Sequence, residues 1–114
     1  MDEIIARKRQ QLLEEEMALP LCELERRAAD APPTRGFYKA LAGQGLSVIA
    51  EIKRASPSKG MIAPDFDPAG TAKTYQAGGA DAISVLTEKH FFLGENRHLT
   101  EVGKSVALPL LRKD

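Results

Sequence analysis

Three short runs rich in aliphatic and β-branched residues begin near residues 47, 81 and 108, with helix-patterned segments between them. A spacing of roughly thirty residues is that of one βα unit. Parallel strands need long crossovers and are covered on both faces, so they read as nearly continuous apolar runs. This recurrence constrains the fold more than any other feature. It requires a parallel α/β sheet with right-handed helical crossovers.

The first run, Leu46-Ser-Val-Ile-Ala-Glu-Ile-Lys53, enters a loop from Arg54 to Pro64 in which Pro57, Gly60 and Pro64 act as breakers. Asp67-Pro68 then starts a helix, with an Asp cap and Pro at the first helical position. That helix passes through Ala69, Ala72, Lys73 and Tyr75 and ends at Gly78-Gly79, where glycine permits a left-handed cap. The second strand is Asp81–Leu86. Asn96–Lys104 reads as a further helix with Leu99 and Val102 inward. Pro109 introduces the third strand, Leu110–Lys113, at the end of the ladder, where its missing donor is tolerated.

Upstream, prolines divide helical segments. Asp2 is expected to cap a helix running to about Leu19, with Ile4, Ile5, Leu12, Leu13 and Met17 as an intermittent apolar stripe. Pro20 ends it. A second helix follows through Leu21, Leu24 and Ala28 until Pro32-Pro33. In the first helix Arg7-Lys8-Arg9 precede Glu14-Glu15-Glu16, an order that opposes the helix dipole. Packing of the apolar stripe is therefore expected to stabilise it. Cys22 is expected to be small and half-buried. The chain thus divides into a helical extension, residues 1–45, and the beginning of an α/β domain, residues 46–114.

Sixteen Lys+Arg balance sixteen Asp+Glu, for a formal net charge of zero. That balance argues against nucleic acid or an anionic membrane surface as partner. A single cysteine excludes an internal disulfide and a multi-cysteine metal site, so a reducing cytoplasm is expected. No apolar run approaches the roughly 18 residues of a membrane span, and MDEIIARKRQ lacks a signal peptide's apolar core. His90 and His98 have no carboxylate at zinc-site spacing, so no metal is expected.

An open doubly wound sheet and part of a (β/α)8 barrel both fit the repeat, and the polar residues decide between them. In the first strand Val48, Ala50 and Ile52 share one face, suited to a helix layer. Ile49, Glu51 and Lys53 share the other, which ends in two charges about 6.6 Å apart along the strand. Lys113 has the parity of Leu111 and would stand inward at the C-terminal end of the third strand. A barrel gathers catalytic side chains at that end, so Glu51, Lys53 and Lys113 are candidates around one mouth. Ser56-Pro57-Ser58-Lys59-Gly60 offers hydroxyls, a cation and a glycine to an anion, without Walker A spacing. Phe91-Phe92 are either loop core or an apolar wall for an aromatic substrate.

Ala50-Glu51-Ile52-Lys53-Arg54-Ala55-Ser56-Pro57-Ser58-Lys59-Gly60 resembles the signature of indole-3-glycerol phosphate synthases. Asp65-Phe66-Asp67-Pro68, Ala82–Glu88 with Phe91-Phe92, and Leu110-Leu111-Arg112-Lys113-Asp114 resemble the same family, collinearly. So do the N-terminal Ile-Ile-Ala-Arg-Lys-Arg and the Ala-Pro-Pro-Thr-Arg-Gly-Phe segment. The resemblance implies a tryptophan-biosynthesis carboxy-lyase on a (β/α)8 TIM barrel preceded by a helical extension. It implies a phosphorylated aromatic small-molecule substrate and no cofactor or metal. By position, Lys113 would be the general acid, and Glu51 would stabilise the cationic ring-closed intermediate and assist dehydration. Lys53 and Ser56 would hold anionic groups, and Phe92 would pack on the aromatic ring.

A whole barrel takes about 250 residues, so the chain is expected to hold only the first three strands. It is then expected to be inactive alone and to self-associate through unpaired strand edges. Two alternatives are another phosphate-binding barrel, such as a phosphoribosylanthranilate isomerase-like enzyme, and a non-enzymatic self-associating half-barrel.

Overall fold

The computed structural model describes residues 1–114, which form two compact units, Met1–Pro33 and Thr34–Asp114. The division falls after Pro33, whereas the sequence reading placed residues 1–45 together.

The first unit is a pair of helices, α1 (Asp2–Ala18) and α2 (Leu21–Ala29). Pro20 separates them as the N-cap of α2, because its fixed φ and missing donor suit a helix start and not a helix interior. Asp2 is not the cap of α1. Met1 holds that position and its carbonyl accepts the Ile5 N–H at 3.1 Å, so Asp2 becomes the first helical residue. Its carboxylate still lies at the positive end of the dipole, with Glu3 beside it. The expected packing of the stripe is not seen: Ile5, Leu12, Leu13 and Met17 are exposed, and the residue α1 buries is Gln11. Gln11 hydrogen-bonds Glu15 and accepts from Lys8, so its amide is satisfied along the helix. Cys22 is exposed, not half-buried, since α2 buries none of its residues.

The second unit begins with α3 (Phe37–Leu41), entered through Gly36 at φ 75°. Then come β1 (Ile49–Ile52), β2 (Ala55–Ser56), β3 (Gly60–Met61), α4 (Pro68–Ala77), β4 (Ala82–Leu86), α5 (Asn96–Ser105) and β5 (Leu110–Lys113). The sheet order is β1-β4-β5 and both pairings are parallel, as the recurrence required. β1 is shorter than the apolar run, because Leu46 is 94% exposed and strand pairing starts at Ile49. The segment expected as loop contains an antiparallel hairpin, β2 with β3.

Local chemistry sets the helix ends. The Asp67 carboxylate accepts the Gly70 N–H at 3.0 Å with Pro68 at the first position of α4, and Gly79 takes φ 91° after its end. At the start of α5 the Glu95 N–H donates to His98 Nδ1 at 3.2 Å.

One face of the sheet makes the core. Ile52, Ile83 and Val85 pack with Ala72 of α4 and Val102 of α5, flanked by Val106, Phe66, Tyr75 and Leu99. Side chains alternate across the sheet, so this leaves Ile49, Glu51, Ser84, Leu111 and Lys113 on the opposite face. The Tyr75 hydroxyl donates to the Glu51 carbonyl at 3.0 Å and ties α4 to the upper end of β1. Arg35 fastens the start of the unit to its end: its guanidinium donates to the carbonyls of Gly103 (2.7 Å), Val106 (2.8 Å) and Leu108 (3.1 Å).

Candidate active site

The parallel register places Glu51 beside Ser84, Ser84 beside Leu111, and Leu86 beside Lys113. Glu51 and Lys113 therefore face the same side from strands separated by β4. The small Ser84 between them lets the two long side chains meet. Lys113 Nζ lies 2.8 Å from Glu51 Oε2, and Lys53 Nζ lies 3.3 Å from Glu51 Oε1. One carboxylate thus receives both lysines at the C-terminal ends of parallel strands.

Its electrostatics follow from that placement. Partial burial pushes the Glu51 carboxyl up, but hydrogen bonds from Lys113 and then Lys53 outweigh it, and the group sits below its ordinary value. Glu51 is therefore a carboxylate near neutral pH, about one third exposed, with the Lys113 side chain 53% exposed above it. An anion with two adjacent donors, reachable from solvent, can hold positive charge on a bound molecule while an ammonium delivers a proton.

Ser56 belongs to the hairpin and not to this cluster. It is 8% exposed, its Oγ accepts the Lys59 N–H at 3.2 Å, and Ser58 Oγ lies 3.4 Å away. Gly60, at φ 61°, allows the turn that brings these groups together. Phe92 is half-buried in the loop that follows β4, at the same end of the sheet as Glu51 and Lys113. The structure thus joins Glu51, Lys53 and Lys113 directly, and sets Ser56 on the β2–β3 hairpin and Phe92 on the loop after β4.

A cleft of about 730 Å³ opens beside the cluster, between β1 and the start of α4, lined by Glu51, Lys53, Asp65, Phe66, Asp67 and Tyr75 among others. Neither Lys113 nor Phe92 lines it, so it lies on the α4 side of β1. No group of three or more His, Cys, Asp or Glu side chains is placed to hold a metal ion.

Sequence reasoning missed Glu88. It is 2% exposed just beyond β4, and its carboxylate accepts the backbone N–H groups of His90, Phe91 and Phe92. Its partners are backbone amides, so no side-chain pattern marks it beyond an acidic residue two positions after β4 and three before an aromatic pair.

A model of the indole-3-glycerol phosphate synthase family matches residues 1–114. The chain is similar to an indole-3-glycerol phosphate synthase of Desulfotalea psychrophila, 50% identical over 118 residues, and to one of Alkaliphilus metalliredigens, 48% identical over 115. Each alignment covers 100% of this chain and 44% of the relative. A third relative, from Desulforamulus reducens, is 44% identical over 115 residues, with 43% of its length covered. The chain spans less than half the length of the relatives it matches. Over all of its residues, the chain belongs to the indole-3-glycerol phosphate synthase family.

Proposed function

We propose that these residues are the helical extension and the first three strands, with the two crossover helices between them, of a (β/α)8 barrel. The complete barrel closes 1-(2-carboxyphenylamino)-1-deoxyribulose 5-phosphate to indole-3-glycerol phosphate, releasing CO2 and water, as a step of tryptophan biosynthesis. The observation that carries this reading is the Glu51 carboxylate held by Lys113 and Lys53 at the C-terminal ends of parallel strands. Family membership supports it, and so does the open sheet, whose β1 and β5 edges have no strand partner.

In this reading the ring carbon that bears the carboxylate attacks the ketone carbon, and Lys113 gives its proton to the ketone oxygen. The new ring carries positive charge, which the anionic Glu51 stabilises. Loss of CO2 returns the electron pair of the broken carbon–carboxylate bond to the ring. The hydroxyl made in the first step then takes up a proton and leaves as water. The neighbouring methylene, between that carbon and the ring nitrogen, gives up a proton and its C–H electron pair becomes the ring double bond, with Glu51 assisting. Lys53 and Ser56 bind anionic groups of the substrate by charge and hydrogen bond, and Phe92 packs on its aromatic ring.

Alone, residues 1–114 are expected to be inactive and to associate, because Ile49 and Leu111 on the uncovered face are 47% and 44% exposed. Sedimentation of a soluble, active monomer would contradict this. Residues 1–114 contain no tryptophan, so they add no indole background to a fluorescence assay of the product. In the full-length protein, Lys113→Ala should lower turnover by about 10²–10⁴-fold. Unchanged product formation by that variant would end the assignment.

A further inference from the structure

We propose that Glu88 is a positioning residue of this site: it fixes the loop after β4 so that Phe92 presents its ring to the aromatic part of the substrate. The inference rests on the reading of the reaction and of Phe92 given above.

Glu88 makes no ion pair, although it is among the most deeply buried side chains of the chain. A buried carboxylate without a cation is costly unless hydrogen bonds replace its water. Here three consecutive amides do so. His90 N–H donates to Oε1 at 2.9 Å, while Phe91 and Phe92 N–H donate to Oε2 at 2.7 and 3.1 Å. Charge-assisted bonds of this kind are roughly twice as strong as neutral ones. The loop therefore has one conformation that satisfies the carboxylate, and in it the backbone of Phe92 is held directly.

Both ends of the loop are fixed as well. The Gly94 N–H donates to the Glu88 carbonyl at 2.8 Å and closes the turn through Leu93, which adopts φ 54°. A Cβ on Gly94 would lie 2.3 Å from the Leu86 carbonyl oxygen, so only glycine fits there. At the other end, the Thr87 N–H donates to the Lys113 carbonyl at 2.8 Å. A continuous chain of bonds thus runs from Lys113 through Thr87 and Glu88 to Phe92. It sets the aromatic wall relative to the proposed acid. Glu88 touches no substrate in this arrangement. It acts through Phe92.

Gln is nearly isosteric with Glu but offers one acceptor oxygen and an NH2 that opposes the amides, so it cannot satisfy all three. Asp keeps both oxygens and withdraws them by one methylene. In the full-length protein, with the carboxyphenylamino-deoxyribulose phosphate as substrate, Glu88→Gln and Phe92→Ala should each raise KM by about 10- to 100-fold. Glu88→Asp should raise it less. The double variant Glu88→Gln/Phe92→Ala should be no worse than Phe92→Ala, because both changes remove one function. A Glu88→Gln protein with lower thermal stability and lower kcat but unchanged KM would reduce Glu88 to a structural anchor and overturn the proposal. Independent, multiplying effects in the double variant would overturn it too. Should Glu88→Gln not fold, the same KM criterion applies to Glu88→Asp. A Phe92→Trp reporter separates this inference from the reading beneath it. Greater acrylamide quenching of that reporter when Glu88→Gln is added supports the positioning role even if wild type fails to turn over the substrate. Unchanged quenching refutes it even in an active enzyme.

Discussion

Glu51 and Ile52 are adjacent in the chain and opposite in the sheet. Ile52 lies on the covered face with Ile83 and Val85, under Ala72 and Val102, where nothing polar is asked of it. Glu51 lies on the uncovered face with Ser84 and Lys113, between two ammonium groups and open to solvent. The same backbone thus supports two kinds of surface. One lowers the free energy of the folded state by keeping apolar area from water. The other holds like and unlike charges at fixed distances and gains little stability from them, since exposed ion pairs are worth at most about 1 kcal/mol. Register joins the two: a slip of one residue would exchange the faces and lose both at once.

The comparison breaks if the two faces answer mutation alike. The largest expected effect on folding is at Ile52, 2% exposed. Ile52→Ala in the full-length protein should cost about 2–5 kcal/mol in urea unfolding, with turnover per folded molecule retained. Its neighbour should behave in the reverse way. Glu51→Gln should lower turnover by about 10²–10³-fold while the unfolding free energy moves by no more than about 0.5 kcal/mol. A stability loss comparable to that of Ile52→Ala would erase the distinction.

The smallest effect is a pH dependence on the covered side, at the start of α5. Burial pushes the His98 imidazole below its ordinary value of 6.5, and its Nδ1 accepts the Glu95 N–H, which requires that nitrogen unprotonated. The unfolded chain then binds the proton more readily, so stability must rise with pH across this window. The contribution is fully present above pH 6.5 and is lost as pH falls from there through the lowered folded value. Denaturation midpoints of wild type and His98→Gln should therefore converge below pH 6.5. Parallel midpoint curves across the window would show that the imidazole contributes nothing there.

The sheet was legible because its signals are periodic or local. Alternation in residues 48–53 separated Ile52 from Glu51, and the Asp67-Pro68 pair and Pro109 marked element starts that the structure shows. Strand parity also brought Lys113 to Glu51 across β4, through sequence positions 62 apart. What stayed hidden depends on partners that sequence patterns do not display. Glu88 binds backbone amides, which every residue carries, so its role has no side-chain signature. The β2–β3 hairpin is two residues per strand, too short for alternation to register. Cys22 was expected to be half-buried from its residue type, yet exposure depends on what packs over α2, where no residue is buried. Asp2 lost the cap to Met1 by one position, because the Met1 carbonyl already accepts the Ile5 N–H.

Arg35 binds carbonyls 68, 71 and 73 residues further along the chain, between the last turn of α5 and the approach to β5. Those three oxygens converge only after α5 has formed and the chain has left it toward the third strand. The latch is therefore expected to close late in folding, when the entropy of joining such distant segments has already been offset by the sheet. A contact made after the transition state governs how fast a structure opens and leaves the rate at which it assembles nearly untouched. Arg35, which lies ahead of α3, is thus expected to act on the lifetime of the native state more than on the search that reaches it.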